Sequence, residues 1–187
     1  LIQQSLANKA GAIVPLIAET GRQNAMIVDS SALPEQVVND VILSAFGSAG
    51  QRCSALRVLY VQSDIADKFI TMLKGAMAEI VLADPSLLAT DVGPVIDDDA
   101  KAMLSAHFRE MQRRGKLIYQ VETNASHDKG CFFAPCAFEI SSISCLEQEF
   151  FGPFLHVIRY QADELDTVLA DINHTGFGLT LGVHSRI

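Results

Sequence analysis

The sequence has no tryptophan, no CxxC cysteine pair, no excess of basic charge and no long apolar run. Its longest apolar stretches, such as residues 55–61 with Arg57 inside, fall far short of the roughly 18 residues that span a bilayer. No secretory signal is readable either, because residues 1–10 look like a helix polar on one side, with no small-residue cleavage pattern after it. Lys and Arg number 14 against 22 Asp and Glu, and the basic residues are scattered except for Arg113 and Arg114. That distribution argues against a nucleic-acid or anionic-membrane surface. The cysteines Cys53, Cys131, Cys136 and Cys145 form no regular disulfide framework, which fits a reducing, cytoplasmic compartment. Neither GxGxxG nor GxxxxGK[ST] occurs, so the phosphates of any nucleotide are expected to be held elsewhere.

What is present is a globular composition: 49% hydrophobic residues, with 12 Gly and 6 Pro, exclude disordered, collagen-like and low-complexity classes. At roughly 150 residues per domain, residues 1–187 make one domain. Periodicity predicts strands at 12–18, 25–28, 57–61, 116–120, 132–140, 155–160 and 179–185. Helices are predicted at 34–46 with Ser30 and Ser31 as caps, at 64–81 capped by Ser63, at 97–114 ending on a C′ glycine, Gly115, and at 163–173. Residues 83–94 and 122–130 read as surface loops. Strand runs apolar on both faces, separated by helices long enough for crossovers, predict an α/β fold: a three-layer, open, mainly parallel sheet with helices on both faces. The chain begins inside an apparent helix and stops just after a strand, so a piece of a larger protein is expected.

Three places can carry chemistry. Cys53 lies in Gly47-Ser48-Ala49-Gly50-Gln51-Arg52-Cys53-Ser54-Ala55, where small residues let a ligand approach the backbone at a helix–strand junction. Arg52 beside it would favour the thiolate; an inert buried cysteine is the other reading. Glu19 ends the apolar run of residues 13–18 and is followed by Thr20-Gly21, the position of a general base or of a solvated strand end. Glu149 precedes Phe150-Phe151-Gly152-Pro153, where Phe151 is either a planar wall for a flat ligand or a core aromatic. A zinc site from His127, Cys131, Cys136 and Cys145 lacks the short paired knuckle, so core or strand cysteines are preferred and no metal is expected. His156 reads as a satisfied sheet residue, and His107 and His174 as helix-surface positions.

In order and spacing, Glu19-Thr20-Gly21, Gly50-Gln51-Arg52-Cys53 and Glu149-Phe150-Phe151-Gly152-Pro153 resemble the aldehyde dehydrogenase superfamily, and the likeness runs on to residues 178–186. The runs Asn24-Ala25-Met26-Ile27-Val28-Asp29-Ser30-Ser31-Ala32 and Thr90-Asp91-Val92-Gly93-Pro94-Val95-Ile96-Asp97 look like one subgroup, the glutamate-semialdehyde (1-pyrroline-5-carboxylate) dehydrogenases of bifunctional proline-utilisation proteins. The resemblance implies that Cys53 is the nucleophile, forming a thiohemiacetal and then a thioester, with its own backbone N–H as half of an oxyanion hole. It implies that Glu19 activates the deacylating water. Glu149 and Phe151 would contact the nicotinamide ribose of NAD, with Thr20 and Gly21 beside the cofactor, and Ser54 and Arg52 would lie at the substrate. FAD is expected only if a proline dehydrogenase domain precedes.

One departure is Arg22, where the family usually has a second glycine; a position needing φ > 0 or close ligand approach would be distorted by it. The NAD-binding domain is expected before Leu1 and the substrate-anchoring loop after Ile187, so the 187 residues alone are expected to be inactive and the whole enzyme to be a homo-oligomer. The function expected is oxidation of glutamate semialdehyde to glutamate in proline catabolism. Alternatives are an aldehyde dehydrogenase of different substrate, a non-catalytic interaction module, and a Cys53/Glu19 hydrolase.

Overall fold

Apolar residues at helical spacing and unbroken apolar runs build the two kinds of element. In the computed structural model, which describes residues 1–18 and 21–187, α1 is Ile2–Ala7, β1 Ala25–Val28, α2 Pro34–Phe46 and β2 Val58–Gln62. They are followed by α3 (Ser63–Ala78), α4 (Asp98–Arg114), β3 (Lys116–Gln120), β4 (Cys136–Glu139), β5 (Phe154–Tyr160), α5 (Leu165–His174) and β6 (Leu181–His184). One sheet of six strands has the order β3-β4-β5-β2-β1-β6, parallel throughout except for the antiparallel β3–β4 pair. Every residue of β2 and nearly every residue of β5 is buried. Because neighbouring side chains in a strand point to opposite faces, an unbroken buried run means that the sheet centre is covered on both sides. The α/β prediction holds.

Several local expectations do not. Residues 12–18 are irregular and exposed rather than a strand, because Pro15 removes a ladder donor mid-run and an isolated strand has nothing to pair with. Helix α2 begins through Pro34, whose ring presets the helical φ, with Leu33 as N-cap and no side-chain cap bond. Ser31 instead donates from N and Oγ to Asp29 Oδ1 at 2.7 and 2.6 Å. Ser63 is the first residue of α3 and gives its hydroxyl to the Tyr160 carbonyl at 3.0 Å. Gly115 is extended at φ −135°, not left-handed, so the chain runs straight from α4 into β3. The strand predicted at 132–140 is cut to β4, because Pro135 cannot donate to a ladder. The 122–130 loop contains a 3-10 turn, Ala125–Lys129, closed by a reciprocal Asn124–His127 capping box. His107, expected on a surface, is 2% exposed: it shares the inward stripe of α4 with Leu104 and Met111.

Parallel register then positions the site. Ala25 stands opposite Val58 on one side and Leu181 on the other, and Val58 opposite His156. The segments entering β1, β2, β5 and β6 therefore converge at the amino-terminal edge of the sheet, not at the carboxyl edge where open α/β sheets usually bind ligands.

Candidate active site

Cys53 is exposed, on the loop between α2 and β2. The loop leaves α2 through a sharp turn in which Ser48, Ala49 and Gly50 all have positive φ, of 57°, 52° and 64°. Two of these are not glycine, a strained geometry costing on the order of 1–2 kcal/mol per residue that the surroundings must hold in place. Gly50 also needs its missing side chain: a Cβ there would lie 2.1 Å from the Gly152 carbonyl oxygen. The Cys53 loop and the Phe151-Gly152 turn thus touch backbone to backbone.

Polar residues just upstream of the strands fix the rest. Asn24, buried, donates through Nδ2 to the carbonyls of Cys53 (2.7 Å) and Ala55 (2.9 Å), while its Oδ1 accepts from Thr180 N at 3.2 Å. Gln51 accepts from Ile96 N through Oε1 at 2.8 Å. Arg52 does not turn to the thiol: its Nη2 donates to the Leu43 and Ser44 carbonyls at 2.9 and 3.3 Å, capping the last turn of α2. Ser54 is exposed and lines a cavity of about 210 Å³ with Asn24, Ser44 and Thr180.

Glu149 is half-buried, with both oxygens engaged. Oε2 accepts from Arg22 N at 3.1 Å and Oε1 from Arg57 Nη2 at 3.3 Å. Each oxygen keeps a second lone pair, so the carboxylate can still accept from ligand hydroxyls. Phe151 is 38% exposed and presents a ring whose face lies 5.3 Å from the Arg57 guanidinium carbon. An exposed aromatic beside a carboxylate with free lone pairs can take a ribose and a flat ring, which is compatible with the NAD contacts that the family resemblance implies for these residues. Gly21 is half-buried, and its carbonyl accepts from the Arg22 guanidinium. Arg22 is buried and is not among the described residues with positive φ, so its backbone does not demand a glycine. Glu19 and Thr20 lie outside the described residues.

Of the residues considered for zinc, His127 spends both ring nitrogens on the backbone, accepting from Asn124 N and facing the Leu82 carbonyl. Cys131 donates to Asp98 and Cys136 is buried in β4. Asn24 and Arg57 carry the site's geometry without having been singled out from the sequence; the one visible signal was a cation inside the apolar run 55–61.

Comparison with known proteins shows the family. The family model "Aldehyde dehydrogenase family" matches residues 2–187. The chain is 51% identical over 195 aligned positions to the bifunctional protein PutA of Klebsiella aerogenes, covering 100% of this chain and 15% of the relative. It is 31% identical over 173 positions to the 1-pyrroline-5-carboxylate dehydrogenase of Geobacillus thermodenitrificans, covering 91% of this chain and 33% of the relative. A crystal structure of a variant of Bradyrhizobium japonicum proline utilization A superposes with a TM-score of 0.94 at 55% identity, over 100% of this chain and 19% of that one. The chain thus spans a third or less of the length of these relatives. With a family model matching nearly its whole length and a sheet that superposes on solved relatives, the chain belongs to the aldehyde dehydrogenase family.

Proposed function

We propose that this chain is the nucleophile-bearing portion of an NAD-dependent glutamate-semialdehyde (1-pyrroline-5-carboxylate) dehydrogenase of proline catabolism, working within a longer, cytoplasmic, homo-oligomeric protein. The observation that carries the reading is the contact of an exposed Cys53 loop with the Phe151-Gly152 turn that follows Glu149, in a chain similar to proteins named PutA and 1-pyrroline-5-carboxylate dehydrogenase.

Cys53 Sγ adds to the aldehyde carbon, and the oxyanion that forms is met by the Cys53 backbone N–H, while Asn24 holds the carbonyl of the same residue. NAD, when bound, supplies the acceptor for the hydride. Glu149 would accept hydrogen bonds from the cofactor's ribose hydroxyls, and Phe151 would cover the ribose face. Ser54, with the remaining donors of Arg52, is assigned to the substrate's α-carboxylate. Glu19 takes a proton from the water that cleaves the Cys53 thioester.

In the full-length enzyme, Cys53→Ala should abolish aldehyde-dependent NADH formation. Glu19→Gln should keep a first burst of NADH while steady turnover falls by about 10²- to 10⁴-fold, the usual contribution of a general base. Wild-type turnover in Cys53→Ala would end the reading, and a substrate panel in which another aldehyde is strongly preferred would keep the chemistry but change the pathway.

A further inference from the structure

Arg57 is the largest fully buried side chain among the described residues, 1% exposed, yet it is charged. Its guanidinium joins two chain segments. Nη1 donates to the Gly152 carbonyl at 3.0 Å, while Nη2 reaches the Arg52 carbonyl at 3.4 Å and Glu149 Oε1 at 3.3 Å. The ring of Phe151 lies over it. The Arg57 backbone is fixed as well, because its carbonyl accepts from both N and Nδ1 of His156, at 2.9 and 3.1 Å. Burial pulls the guanidinium pKa down and the Glu149 carboxylate pushes it back up.

A buried ion pair is poor evidence of a stabilising role, since apolar residues of similar volume commonly serve as well. A planar cation with several fixed donors does what they cannot: it holds several acceptors in one geometry. Here the acceptors are significant. The Arg52 carbonyl belongs to the same peptide unit as the Cys53 N–H, and Glu149 and Phe151 are the two groups offered to the cofactor. We propose that Arg57 is a positioning residue that ties the nucleophile loop to the cofactor-facing turn, so that a single guanidinium sets both the Cys53 N–H and the Glu149 carboxylate. The assignment rests on the reading of Cys53 and Glu149 given above.

The test uses the full-length enzyme. Arg57→Lys keeps the charge but its single ammonium cannot span the two segments. It should raise the KM for NAD and slow the first turnover at saturating NAD, each by about tenfold or more, with an unfolding midpoint close to wild type. Combined with Glu149→Gln, the NAD effects should not add, because both changes cut one tether. A folded Arg57→Lys enzyme with a wild-type first turnover, or additive KM effects, overturns the proposal. If Arg57→Lys does not fold, Glu149→Gln is read by hydrogen exchange without NAD. Arg57 then loses its charge partner, and the amides of Gln51 and Ala55, which donate to the Ser48 and Arg52 carbonyls, should exchange about tenfold faster or more; unchanged protection there overturns the proposal. This readout needs no turnover, so it stands apart from the Cys53→Ala result that decides the reaction itself.

Discussion

Reactivity at the residue scale follows from where each thiol sits. The thiolate is the attacking form, so a cysteine reacts fast when it is reachable and not held protonated. Cys53 is exposed, whereas Cys136 is wholly buried in β4, which pushes its thiol well above the ordinary range. Cys131 donates to Asp98 at 3.3 Å, and that hydrogen bond raises its pKa. Cys145 is half-buried. Brief alkylation of the folded chain followed by peptide mapping should therefore label Cys53 first; preferential labelling of any of the other three would contradict this. Cys53, Glu149 and Phe151 are legible in the sequence as candidates because their motifs are short and local. Asn24 and Arg57 are not, because their meaning lies in partners far along the chain: Arg57 meets Gly152, 95 residues away, only because β5 and β2 are neighbours in the sheet.

Between elements, the informative contact joins α4 to β5. His107 and His156 are both 2% exposed, and their Nε2 atoms are 2.8 Å apart. His156 Nδ1–H donates to the Arg57 carbonyl, so its Nε2 is the acceptor and His107 Nε2–H the donor; both rings are neutral. Burial is the largest cause holding both pKa values down, His107 to about 4. In the unfolded chain each returns to about 6.5. The pair's contribution to stability is thus complete above about pH 6.5 and is lost as pH falls toward the folded values, at up to about 1.4 kcal/mol per pH unit for each histidine. The urea midpoint should be lower at pH 5 than at pH 7, and the drop should shrink in His107→Leu. Equal drops in the two proteins would show that the pair charges freely inside the fold. None of this was readable in advance, since a histidine on an amphipathic helix belongs to either face until the neighbouring strand is known. The central strands, by contrast, were legible as unbroken apolar runs, while residues 12–18 mimicked one without having a ladder to join.

At the scale of the whole molecule, apolar surface and cofactor contacts lead to the same expectation. Ile13, Ile17, Leu181 and Val183 are 99%, 88%, 49% and 63% exposed, and β6 stands at the end of the sheet order with only β1 beside it. Large exposed apolar side chains, two of them on an open edge strand, favour association. On the proposed reading Glu149 and Phe151 would reach only the nicotinamide ribose of NAD, and the sequence has no glycine-rich phosphate motif to hold the remainder. Contacts confined to that half leave an affinity near millimolar, about 4 kcal/mol of binding. The 187-residue chain on its own should therefore bind NAD too weakly to saturate at micromolar concentration and should self-associate as its concentration rises. Calorimetric titration with NAD, with light scattering on the same sample, measures both. Micromolar binding by a monodisperse monomer would mean that residues 1–187 carry a complete cofactor site, and the division of labour proposed between this chain and the rest of the enzyme would have to be abandoned.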